Sequence, residues 1–154
     1  MLKRRSILCW TGVAILVSAL AVSSTPQAGM GTPPGVQASD CPPFYFGYQS
    51  QLRNLRADLD SNNQNLRALA ADRIEVLNML LQNLGSLIKD CVNGRFAKSC
   101  VYVAKAALEY SDYAGKKQPD YVGAQMFLQR ACDLGDKGSC KKAQDAAKKI
   151  SQSK

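Results

Sequence analysis

Histidine is absent from the 154 residues. With it go the side chain that titrates near neutrality, the histidine triads and the commonest metal ligand. Neither a Cys-x-x-Cys pair nor a glycine-rich phosphate loop occurs, so dithiol redox exchange and P-loop hydrolysis have no footing in this chain. Long apolar runs are scarce: Ile7 to Val22 is apolar except at Thr11, Gly12 and Ser18, and its sixteen positions fall short of the roughly twenty that span a bilayer as a helix. Proline is missing from Gln49 to Asp90, where Gly85 is the only glycine. Nothing in that stretch forbids helix over a length of up to about 60 Å. Carboxylates are scarce at the C-terminus, where Lys137, Lys141, Lys142, Lys148, Lys149 and Lys154 are opposed only by Asp145.

What is present has an ordinary globular balance, 46% hydrophobic and 21% charged, enough for one modest core. Met1 to Arg5 is positive, the apolar run follows, and small residues including Ala19-Leu20-Ala21 end it. That order predicts a secretory signal over residues 1–22, and so an exported protein, with the periplasm as its destination. An uncleaved signal holding the chain at the inner membrane is the alternative. Removal of Lys3, Arg4 and Arg5 would take the formal charge from +8 to +5. Residues 23–40 carry Pro26, Pro33, Pro34 and several glycines with little bulky apolar content, which reads as a flexible linker.

Residues 41–90 begin with Cys41-Pro-Pro-Phe-Tyr-Phe-Gly-Tyr, whose crowded aromatics Phe44, Tyr45, Phe46 and Tyr48 are expected to cover a core. Beyond them Leu52, Leu55, Leu59, Asn62, Leu66 and Leu69 alternate steps of three and four, and Ala70, Ile74, Leu77, Leu81, Leu84, Ile88 and Cys91 continue in a shifted frame. A coiled-coil seam containing Asn62 satisfies this pattern. So does a break at Asp60-Ser61-Asn62-Asn63, whose side chains cap helix starts well. The seam predicts a protein partner or self-association through residues 41–88.

The most strongly specified stretch is Asp120 to Ala143. Tyr121, Ala124, Phe127, Leu128 and Ala131 recur on one helical face, Gly135 is placed to end that helix near Leu134, and Ser139 is a candidate N-cap for a second helix from Cys140. A helical hairpin results, with Cys132 and Cys140 within disulfide reach across its turn. Cys91 to Cys100 repeats the plan with one extra residue; Val101 to Tyr113 is then the second helix of that unit, with Val103, Ala104, Ala107 and Leu108 inward. The offset is 41 residues from Cys91 to Cys132 and 40 from Cys100 to Cys140. A period near forty with one hairpin per unit signals an α-solenoid.

Ala124, Phe127, Arg130, Ala131, Cys132, Asp133, Gly135 and Cys140 resemble the core pattern of Sel1-like repeats, and the cysteine spacing is similar to that of the cysteine-rich Helicobacter-type subgroup. Two departures stand out: Val103-Ala104 and Ala143-Gln144 occupy the places where such repeats carry Leu-Gly. The resemblance implies a TPR-like, disulfide-stapled solenoid that binds protein, and weak penicillin binding or β-lactamase activity as the runner-up. For the runner-up, Ser86-Leu-Ile-Lys89 and Ser151-Gln-Ser-Lys154 satisfy Ser-x-x-Lys, but Lys-Thr-Gly is absent and Ser111-Asp112 continues with Tyr113.

Without Cys9, five cysteines remain, which suggests bridges Cys91 to Cys100 and Cys132 to Cys140 with Cys41 left over. Cys41 could then be a buried thiol, an intermolecular link, or a competitor for Cys91. The expectation is an all-α protein. It has a long N-terminal helix or helical hairpin, then a stapled Sel1-like array over 91–154 whose polar last helix caps the stack. It carries no catalytic, cofactor or metal site. The lysine-rich C-terminus suits a solvated face or an anionic surface, and export removes nucleic acid from the field of partners.

Overall fold

The computed structural model describes residues 31–153; the signal expected over 1–22 and the first part of the linker lie outside them. The described chain is all-α. Five helices follow one another as α1 (Pro43–Asp58), α2 (Gln64–Val92), α3 (Ala97–Glu109), α4 (Tyr121–Asp133) and α5 (Lys137–Gln152), and each packs against its successor. The core runs through the stack from Leu52 and Leu55 of α1, by Leu81, Ile88 and Val103, to Phe127 of α4, all at 2% exposure or less.

The continuous helix allowed over 49–90 is broken. Asp60 to Asn63 form the turn between α1 and α2, and Asn63 caps α2 by accepting from Asn65 N at 3.0 Å and Leu66 N at 3.3 Å. Asn62 is therefore in an exposed turn and not inside a seam. Leu52 and Leu55, the first two leucines of the expected seam, bury against α2 within the same chain, while Leu59, Leu66 and Leu69 of the same row stay exposed.

α1 also starts earlier than Gln49. Pro43 sits at its first helical position, where a fixed φ and a missing N–H cost nothing. The first free donor is then Phe44 N, which reaches Asp120 Oδ2 at 3.0 Å, while Oδ1 of the same carboxylate accepts from Gly123 N at 2.8 Å. One side chain thus caps two helices that start far apart in sequence, the Phe44 bond alone spanning 76 positions. The fit is close, since a Cβ on Gly123 would stand 2.5 Å from Asp120 Oδ2 and 2.9 Å from Pro42 Cβ. Asp120→Ala is expected to lower stability by about 2 kcal/mol, roughly one cap for each orphaned donor. Asp120→Asn, with a single amide oxygen, should recover about half of that in denaturant melts. An unchanged midpoint for the alanine variant would show that water replaces the carboxylate at both helix starts.

The expected linker is ordered from Gly31 onward. Gln49 pins Gly31 by accepting from its N–H at 3.4 Å and donating to its carbonyl at 2.5 Å. Pro33 and Val36 are buried, and Gly85 of α2 admits Pro33, whose Cγ would lie 3.3 Å from an added Cβ. A short 3-10 turn, Ala38–Asp40, leads into α1 and places Asp40 Oδ1 3.2 Å from Arg130 Nη2 on α4.

Of the expected aromatic cover, Phe44 and Tyr45 are buried, Tyr48 is half-buried, and Phe46 points out at 38% exposure. Phe44 and Tyr48 meet edge-on at 6.0 Å, and Tyr110 stands 5.0 Å from Tyr48 at 81°. α3 stops at Glu109, short of the expected Tyr113, and Ser111 pairs with Lys117 across a small turn. That turn is tied down by Gln51 Nε2 donating to Ser111 O at 2.7 Å, by Tyr113 Oη donating to Asp58, and by Arg73 lying 5.4 Å over the Tyr113 ring. The bond to Asp58 is also the main reason the Tyr113 phenol is raised above its usual pKa.

Candidate functional site

Both hairpin turns of the repeat region carry a glycine in the left-handed region, Gly94 at φ +68° and Gly135 at φ +97°. Only glycine adopts such angles without strain, so these positions end α2 and α4. The turns bring the cysteines together: Cys91 is bonded to Cys100 and Cys132 to Cys140, with Cα atoms 4.9 and 4.8 Å apart. Each bridge closes a loop of about nine residues, worth roughly 2.5 kcal/mol by loop entropy. α5 starts at Lys137, three residues before the expected Cys140. Asp136 takes the N-cap position, and Ser139 is a buried first-turn residue whose hydroxyl donates to Asp136 Oδ2 at 2.6 Å.

Cys41 is free and only 6% exposed. Burial, then the Asp40 carboxylate beside it, pushes its thiol up from the ordinary value, so near neutral pH it is held protonated and unreactive. An intermolecular disulfide through Cys41 would need this start of α1 to open. Iodoacetamide at pH 7.5 should leave the Cys41 peptide unlabelled in the native protein and label it fully in 6 M guanidinium without reductant. Fast native labelling would mean that the start of α1 opens readily.

Of the expected repeat core, Ala124, Phe127 and Ala131 are fully buried on α4 and Gly135 sits in the turn after it. Tyr121 departs from that expectation. It is half-buried, at the first position of α4. α3 and α5 pack on two sides of α4 and leave a groove of about 460 Å³ between them. Tyr121 and Leu128 of α4 form its floor, Val101, Ala104 and Leu108 of α3 one wall, and Ala146 of α5 the other. Leu108, expected inward, is 39% exposed because it borders this groove. Lys105 rises from the α3 wall and Lys142 and Lys149 from the α5 wall. Of the nearby carboxylates, Glu109 lies 3.8 Å from Lys105 and Asp145 lies 3.7 Å from Lys148. Lys142 and Lys149 make no ion pair among the described residues.

A second exposed surface lies on α2. Its 29 residues measure about 43 Å, whereas the 13 of α3 running back along it measure about 20 Å. Among the helices, the N-terminal part of α2 is therefore flanked by α1 alone, with the turn after α3 reaching it at Arg73. Leu66, Leu69, Val76 and Met79 lie there at 38%, 55%, 61% and 54% exposure. Arg67, Asp72, Arg73 and Glu75 give that stretch charges of both signs.

Ser86 and Lys89, the Ser-x-x-Lys candidates, are carried on α2 and do not line the groove between α3 and α5. Ser151 is exposed in the last turn of α5, and its partner Lys154 lies outside the described residues. No cluster of three or more cysteine or carboxylate side chains able to hold a metal ion occurs among the described residues. Compared with family models, curated proteins and solved structures, the chain matches none.

Proposed function

We propose that this chain is an exported, periplasmic protein of the Sel1-like repeat type that acts without catalysis, as an interaction and assembly module of the cell envelope. The observation that carries the reading is the uncovered half of α2. A helix that bears Leu66, Leu69, Val76 and Met79 beyond the reach of its neighbour has an apolar edge that another protein can complete. The mixed charges beside that edge suit the rim of a protein interface better than they suit a polyanion. Two stapled hairpins are few for a solenoid, which normally needs at least three units to bury its core, and an added layer on α2 would supply more cover.

The test is chemical crosslinking in intact envelopes, comparing the wild type with Leu69→Asp/Val76→Asp. Both positions are exposed, so the variant should melt within about 0.5 kcal/mol of the wild type, yet its crosslinked species should fall by at least tenfold. A wild type that stays monomeric at tens of micromolar and yields no adduct, or an adduct indifferent to the substitutions, would overturn the reading.

A further inference from the structure

The groove between α3 and α5 lies on a different surface from the α2 edge, and its chemistry points to a different occupant. We infer that it is a docking site for an amphipathic helix of another protein, one whose apolar stripe is bordered on both sides by Asp or Glu.

Geometry sets the shape of the occupant. α3 and α5 both run antiparallel to α4, so the two walls are roughly parallel to each other, and the trough between them follows the direction of α4. Tyr121 and Leu128 lie seven positions apart on the floor, two turns or about 10.5 Å, and Lys142 and Lys149 have the same spacing on the wall. A helix of two to three turns laid on α4 matches that spacing with side chains at i, i+3, i+4 and i+7. Leu108 and Ala146 would close over its flanks.

Charge sets the borders of the occupant. Lysines stand on both walls, Lys105 on one and Lys142 with Lys149 on the other, and they outnumber Asp145, the one carboxylate of the lining, so carboxylates on both edges of an inserted helix find partners. Lys142 and Lys149 have no carboxylate partner among the described residues, and so no internal pair must break for them to engage one. The chain's own N-terminal segment cannot supply the match, because residues 1–39 contain neither Asp nor Glu.

The experiment is a displayed library of sixteen-residue helices with a fixed leucine stripe and flanking positions drawn from Glu, Gln and Lys, selected on the folded, disulfide-bonded protein. Glutamate is expected to dominate both flanks of the selected peptides. Fluorescence anisotropy with the best peptide should then show at least a tenfold loss of affinity for Lys142→Glu/Lys149→Glu and for Leu108→Asp, each checked by circular dichroism to be folded. A lysine-flanked version of the peptide should bind the Lys142→Glu/Lys149→Glu protein better than it binds the wild type. Leu69→Asp on α2 should leave the peptide affinity unchanged, so failure here and failure of the α2 interface are told apart. Selection without charge preference, affinity insensitive to the α5 substitutions, or binding of phosphatidylglycerol vesicles in the absence of peptide binding would each overturn the inference.

Discussion

Replacing Phe127 by alanine should cost about 3 to 5 kcal/mol, the range for deleting a buried aromatic ring. Phe127 is fully buried at the middle of α4, with α3 on one side and α5 on the other. Neither neighbour is free to collapse into the space, because Cys91–Cys100 ties α3 to α2 and Cys132–Cys140 ties α5 to α4 itself. A cavity that cannot relax falls at the upper end of that range. Two positions on, Gln129 is exposed and bonds only to Asp133 on its own helix, at 2.9 Å. Gln129→Ala should stay within about 0.5 kcal/mol. The comparison is made by guanidinium melts of the oxidised protein, and since small domains hold only about 5 to 15 kcal/mol in all, the Phe127 variant should lose a large share of its stability. Equal midpoints for the two variants would mean that α4 presents a different face to the core.

The hairpin turns can be read directly from the residues because their conformations leave few options. Gly94 and Gly135 adopt left-handed angles, and the cysteines across each turn sit at the separation a bridge requires. The break between α1 and α2 is only half legible. Leu52, Leu55, Leu77, Leu81 and Leu84 obey one three-and-four rule whether they face another chain or fold back on their own, and periodicity does not distinguish the two. Asn63 decides it, because its side chain caps α2 and leaves Asn62, the amide the seam would have buried, exposed in the turn.

Other features leave no local mark at all. Asp120 is legible as the start of α4, but its second oxygen serves Phe44, and a pairing across 76 positions has no sequence signature. Pro33 and Val36 read as linker because apolar content around them is thin, yet one proline against Gly85 and one valine suffice to anchor the segment. Ser139 looks like a helix cap, but Asp136 stands three positions earlier in the same turn and takes that place. The lysines of α5 are visible as a basic face, while the apolar trough they border is made mostly by α3 and α4.

Leu55→Asp should unfold the protein at room temperature or bring it close to that point. Leu55 is 2% exposed between α1 and α2, so the change removes a buried leucine and places a carboxylate in an apolar seam. The lost burial and the uncompensated charge together exceed about 4 kcal/mol. The failure does not stay local to α1, since Gln51 holds the Ser111 turn, Phe44 N holds Asp120, and Tyr48 packs on Tyr110. Detaching α1 therefore loosens the cap of α4 and bares the aromatic ring at the end of α3 in the same step. Leu59, four residues on and 39% exposed at the end of α1, provides the control, and Leu59→Asp should cost less than about 1 kcal/mol. Near-ultraviolet dichroism and light scattering on oxidised protein separate the alternatives. Loss of the aromatic signal in Leu55→Asp alone places the seam inside the chain, whereas a folded Leu55→Asp protein that merely drops from dimer to monomer would place that leucine between two copies.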